Sequence, residues 1–98
     1  MLMILYDYFE YKICITPKQD AKQNPFHEIL DGSIGTIDFL EIGFPLRGKY
    51  YLKSKPNDLP RYFITSTVLN YTEKEDGNIF VETENTFYKF QFVRNTLI

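Results

Sequence analysis

Two short connections near the C-terminus constrain the fold more than any other feature. Asp76-Gly77 ends a charged loop at residues 72–78, and only Glu84-Asn85 separates segment 79–83 from segment 86–94. Asp-Gly is a strong hairpin signal, because glycine accepts positive φ without steric cost. A two-residue link leaves no room for a crossover, so the segments beside it must pair antiparallel. Asn85 is the natural left-handed residue of that tighter turn. The spacing predicts a meander of three strands, at residues 61–71, 79–83 and 86–94. In the last of these Tyr88, Phe90 and Phe92 share one face, predicted to meet Ile64 and Val68 in the core.

The first half alternates less cleanly. Residues 2–15 are rich in β-branched and aromatic side chains and predict a long strand. A shift of pattern at Asp7-Tyr8 predicts a bulge, with Asp7, Glu10 and Lys12 on the wetter face. Pro17 ends that strand within a polar stretch at 16–23. Asn24 is then an N-cap, Pro25 a first helical residue and Gly32 a stop, so a short helix is predicted between them. Its Phe26, Ile29 and Leu30 recur at helical spacing and are expected to cover one open face of the sheet. Residues 33–42 and 48–54 read as the second and third strands, and the breaker-rich 55–60 as a turn. The expected fold is mainly β (α+β): about six largely antiparallel strands in a bent sheet closing towards a small barrel, with one short helix after the first strand. An open sheet covered by the helix is the alternative.

A chain of 98 residues, 44% apolar and 17% aromatic, can bury one core and not two, so a single domain over 1–98 is expected. Cys14 is the one cysteine. It forms no disulfide within the chain, which fits a reducing cytoplasm. The apolar start, residues 1–6, stops at Asp7 with no positive region before it, so no signal peptide is expected. No apolar run approaches the roughly 18 residues that span a bilayer. The expected location is the cytoplasm, with no membrane partner.

Catalytic chemistry finds few candidates. His27 is the one histidine, with no nucleophile or orienting group identifiable beside it, and reads as a surface residue of the helix. Cys14 reads as a small side chain buried in a strand. One Cys and one His build no closed zinc site, and Glu73, Glu75 and Asp76 lack the spacing of a calcium loop. Asp38 and Glu41 fall on opposite sides of a strand, which is poor geometry for paired acid–base work. Gly32-Ser33-Ile34-Gly35 lacks the lysine of a phosphate loop and reads as a turn. The expectation is a protein that is not an enzyme, with no catalytic residue, cofactor or metal.

Charge supplies the one functional lead. Residues 47–61 hold five basic residues and one acid, within a chain of net charge −2 and pI ≈ 5.3. An acidic domain is not a general duplex-DNA coat. A local basic patch on it marks where a polyanion or acidic partner docks. If 48–54 is a strand, Lys49, Tyr51 and Lys53 project to one face, and Tyr50, Leu52 and Ser54 to the other. Arg47, Lys55 and Arg61 are expected at strand ends. The predicted partner-binding set is Arg47, Lys49, Tyr51, Lys53, Lys55 and Arg61. Such a strip fits single-stranded nucleic acid, whose phosphates take cations and whose bases stack on rings, or an acidic protein anchored by Arg and Tyr. The plain reading is a solvated face or a lysine-guarded edge strand.

The second half also carries a diffuse likeness. Gly43-Phe44-Pro45-Leu46-Arg47-Gly48-Lys49-Tyr50, the Ile64-Thr65-Ser66-Thr67-Val68 strand and the Val81-Glu82-Thr83-Glu84-Asn85-Thr86-Phe87-Tyr88-Lys89-Phe90 hairpin resemble small uncharacterised proteins of phages, plasmids and integrated elements. The resemblance implies a mobile-element context. Proteins of that context include inhibitors of host defence, among them anti-CRISPR proteins that bind RNA-guided nucleases. It transfers no functional residue. The first functional expectation is therefore a non-enzymatic interaction protein that binds and inhibits a larger host protein or ribonucleoprotein. Here Asp7, Glu10, Asp38, Glu41, Glu73, Glu75, Asp76, Glu82 and Glu84 are a possible phosphate-mimicking surface. The alternative is a small single-strand-binding β-barrel using 47–61. The sequence sets no oligomeric state.

Overall fold

Extended segments rich in Val, Ile, Thr, Tyr and Phe alternate with Gly, Pro and Asn breakers, and each such segment becomes a strand. The computed structural model describes residues 9–19, 24–51 and 59–95. Strands β1 (Phe9–Pro17), β2 (Ile34–Phe39), β3 (Pro45–Tyr51), β4 (Arg61–Glu73), β5 (Ile79–Thr83) and β6 (Thr86–Asn95) pair in chain order, with helix α1 (Pro25–Leu30) between β1 and β2. All pairs are antiparallel, and β6 returns to β1 to close a barrel. Of the two architectures open to the sequence, the closed one forms. Closure satisfies the edge groups that an open sheet would expose.

The core is the inward row of every strand. Tyr11, Ile13, Ile37, Leu46, Tyr50, Phe63, Val68, Ile79, Val81, Tyr88 and Phe90 are all buried. Aromatic edges meet faces within it: Tyr11 lies 6.0 Å from Phe90 and 6.2 Å from Phe92, and Phe92 lies 5.5 Å from Phe9. Edge-to-face pairs of this kind add to the burial of their area.

The chain turns at both predicted places, between β4 and β5 and between β5 and β6. Gly77 has φ +90°, and the Asp76 carboxylate accepts from the Asn78 backbone at 3.0 Å. Across Glu84-Asn85 the buried Thr83 hydroxyl donates to the Thr86 carbonyl at 3.1 Å. Asn24 caps α1 through Oδ1, which accepts from Phe26 N–H at 3.0 Å, and Pro25 follows. Gly32, at φ +81°, turns the chain back into β2.

The helix sits across one barrel mouth. Leu30 is buried, Phe26 meets Tyr50 at 5.6 Å and His27 meets Tyr88 at 6.3 Å. Asp31 ties it down by accepting from Ile15 N–H at 2.9 Å. Ile29 instead faces solvent, contrary to the expected apolar triad, and the packed positions of the helix are Phe26, against Tyr50, and Leu30.

Bulges account for the other departures. Along β4, one extra residue lies between Ile64 and Thr67 relative to β3, and a second between Val68 and Asn70 relative to β5. The Thr65 hydroxyl takes up the Leu46 N–H at 3.0 Å where the ladder slips. Inward positions consequently run Phe63, then Val68, then Tyr71, and Ile64 points outward at 58% exposure. Strict alternation had placed Ile64 in the core with Val68. Phe92 is half-buried, packed against the core at the end of the Tyr88–Phe90 row. The irregularity of β1–β6 pairing falls at Glu10/Tyr11; the predicted bulge at Asp7-Tyr8 lies outside the described residues. Strand β2 ends at Phe39, short of the predicted 42, and β3 begins at Pro45, ahead of the predicted 48.

Two outcomes test this packing by denaturant melts. Phe90→Ala should cost about 3–5 kcal/mol, as for a buried ring, whereas Ile64→Ala should stay within about 0.5 kcal/mol. A second pair concerns Gly48. A Cβ there would meet the Thr36 backbone carbonyl and lie 2.6 Å from the Phe63 ring. Gly48→Ala should therefore lose about 1–3 kcal/mol through overpacking. Adding Phe63→Leu should recover part of that loss, and no recovery would place the clash elsewhere.

Candidate functional site

Strand β3 builds the most distinctive surface. Leu46, Gly48 and Tyr50 point inward and are buried, so Arg47, Lys49 and Tyr51 point outward. Arg47 lies inside the strand and not at its end, which adds it to the predicted face. Register fixes its neighbours: Arg47 sits between Phe39 on β2 and Ile64 on β4, and Lys49 between Thr36 and Tyr62. Tyr51 lies opposite Ile34. Lys53 and Lys55 lie outside the described residues.

Arg61 departs from the predicted strip. It is opposite Tyr50 and shares its side of β4 with Phe63, so it leaves β4 at the mouth that α1 covers. It is exposed there, but it does not stand in the Arg47–Lys49 row.

The surface is more apolar than the sequence implied. Tyr62 is 72% exposed and Phe44 52%, beside the outward Ile64. Phe44 packs edge-on to Phe39 at 6.0 Å. Beside Phe39 lies an open recess of about 500 Å³, lined by Asp38, Phe39, Arg47, Gly48, Tyr62, Phe63 and Ile64. Backbone at Gly48, whose inward side abuts the Phe63 ring, forms part of its lining. Its two sides are set by bulges: Asp38 is the extra residue of β2 between Ile37 and Phe39, and Thr65-Ser66 lies in the β4 bulge. None of Phe39, Phe44, Tyr62 and Ile64 was singled out from sequence. Tyr62 and Ile64 do share one side of β4 in the pattern, but only the β3–β4 register brings them beside Arg47.

The cations differ in what they face. Lys49 Nζ lies 3.4 Å from the Asp38 carboxylate and 5.9 Å from the Tyr62 ring centroid. Its charge is partly neutralised on the spot. Asp38 also accepts from the Thr36 hydroxyl at 3.3 Å. Arg47 is exposed and has no carboxylate partner among the described residues.

A second outward cluster, on β5 and β6, is more self-contained. Lys18 pairs with Glu82 at 2.6 Å and lies 5.1 Å from the Phe87 ring. Lys74 and Lys89 both lie about 6 Å from the Phe80 ring. Lysines already cover these rings, which leaves less bare apolar surface than around Arg47.

The reactive residues take other places. Cys14 is half-buried on the outer side of β1, opposite Lys89, and not in the core as expected. His27 is half-buried against the Tyr88 ring and not a plain surface residue. Burial lowers its pKa from the ordinary 6.5, with Asp31 opposing. Burial also raises the Tyr88 phenol, with a Thr86 hydrogen bond opposing. Among the described residues no three of His, Cys, Asp and Glu group to hold a metal ion, and no helix is long and apolar enough to cross a membrane.

Comparison with protein-family models, curated proteins and solved structures finds no match to this chain. The site therefore rests on its own geometry.

His27 gives a pH prediction. The fold holds its proton less well than the unfolded chain, so protonation favours unfolding. Its stabilising contribution should be complete above about 6.5 and be lost as pH falls from there through the lowered folded value. Melting temperatures of wild type and His27→Gln should accordingly converge towards acid. Parallel curves between pH 5 and pH 7.5 would mean that His27 titrates alike in both states.

Proposed function

We propose that this protein is a non-enzymatic binding protein that docks on a larger macromolecule through the outer face of β2, β3 and β4. The observation that carries the reading is Arg47 set between Phe39 and Ile64 beside an open recess, with exposed Tyr62 and Phe44 around it. Exposed aromatic and aliphatic side chains around an arginine are the composition of protein-interface anchors. A closed barrel holds them rigidly, so little ordering entropy is lost on docking. The partner class is a host protein or ribonucleoprotein, and the action is inhibition by occupying its working surface. An RNA-guided nuclease is the instance that the mobile-element resemblance implies. The setting is the cytoplasm.

Single-stranded nucleic acid is the second reading, and the observation in its favour is Lys49 over the exposed Tyr62 ring. Asp38 beside Lys49 counts against it, because a carboxylate on the strip repels phosphate.

The test pairs stability with inhibition. Arg47→Glu combined with Tyr62→Ala should leave melting within about 0.5 kcal/mol of wild type for each exposed substitution. Wild type titrated into cleavage reactions of a panel of RNA-guided nucleases should block at least one, and the double variant should fail to block it. Equal inhibition by both proteins would move the interface off this face. No inhibition across the panel would overturn the nuclease reading.

A further inference from the structure

We infer that the partner presents an acidic–apolar protein segment to the recess, with a carboxylate on Arg47 and a neighbouring large apolar side chain against Phe39, Tyr62 and Ile64. This inference rests on the binding face proposed above and adds the chemistry of what fills it.

Three observations carry it. The first is charge. Arg47 is an exposed guanidinium with no carboxylate partner among the described residues, within a segment that has an excess of four positive charges. A planar guanidinium takes a carboxylate in a bidentate pair, which fixes orientation as well as adding energy. The second is the recess. It is open to solvent and lined by Phe39, Tyr62 and Ile64 together with Arg47 and with Asp38, whose charge is held by Lys49. It accepts one bulky side chain beside Arg47, the arrangement of a carboxylate next to Leu or Phe in a partner. The third is what the face lacks. Lys49 is committed to Asp38, and Arg61 leaves β4 on the other side. The described face therefore offers no continuous row of cations for a phosphate backbone to follow, as single-strand binders have.

The experiment is selection of a random displayed peptide library on the immobilised full chain, followed by affinity measurement of the enriched peptides in solution. Enriched peptides should pair Asp or Glu with Leu, Ile or Phe. Arg47→Glu should weaken them by about tenfold or more, and exchanging the peptide acid for lysine should restore binding to that variant. Ile64→Asn should weaken them with no dependence on the peptide's charge. Circular dichroism of each variant excludes loss of fold. Enriched peptides without acids that still respond to Ile64→Asn would overturn the carboxylate inference and leave the binding face standing. Peptides indifferent to both substitutions, or no enrichment, would overturn the inference. A labelled oligothymidine that binds wild type at low salt and is lost in Arg47→Glu would overturn it in favour of nucleic acid.

Discussion

The ladder between β1 and β6 holds the rest of the structure in place. It runs from Phe9–Asn95 to Pro17–Thr86 and joins the two ends of the described chain. A pairing of such long sequence separation forms only after substantial loop-closure entropy is lost, and it returns that loss by completing the barrel. Along it Tyr11 meets Phe92 and Ile13 meets Phe90, so the backbone ladder and the aromatic core close together. Arg94 and Glu10 add an ion pair at 2.7 Å, exposed enough to contribute little. If this ladder opened, every inward row would lose its opposite wall.

Closure has a geometric consequence for β4. It pairs with β3 over Arg61–Thr67 and with β5 over Val68–Glu73, so this one strand turns the corner between two parts of the barrel. Two bulges make that turn, each reversing the alternation, so Phe63 and Tyr71 both face the core although Val68 between them does too. The first bulge releases Ile64 outward beside Arg47. The recess is thus a by-product of how a short barrel bends. On the inner side, a side chain at Gly48 would meet the Thr36 carbonyl and the Phe63 ring, so glycine there lets β3 lie close to β2 and to the core.

Local chemistry was legible in the sequence, and pairing was not. Asn24-Pro25, Gly32 and Asp76-Gly77 each act within a few residues, and all three devices appear in the structure where the sequence puts them, while Glu84-Asn85 joins β5 to β6 as its spacing requires. The outward placement of Lys49 and Tyr51 followed from simple alternation because β3 is regular between Leu46 and Tyr50, and Arg47, expected at a strand end, joins them because β3 begins at Pro45. Ile64, Cys14 and Ile29 were misplaced for a different reason. Ile64 depends on a slipped register against β3 and Ile29 on which side of α1 meets the barrel, while Cys14 falls outward beside the inward Ile13 of β1. A bulge leaves no mark in a run such as Ile64-Thr65-Ser66-Thr67, where every residue suits a strand. The charge excess of 47–61 was visible, yet its division between the outer face and the barrel mouth was not.

That division also separates two ways in which an acidic protein uses a basic strip. For nucleic acid, affinity comes from the number of phosphates neutralised, and cations lost to the far side of a strand or paired with a carboxylate do not count. For a protein partner, a single arginine in an apolar surround suffices, because interface energy concentrates in a few well-packed anchors. On the reading proposed above, a net charge of −2 supplies no long-range pull towards nucleic acid, and Arg47 is the short-range docking point for a carboxylate with an apolar neighbour. Under the proposed reading, Arg47 between Phe39 and Ile64, with Asp38 holding Lys49, suits the second use better than the first.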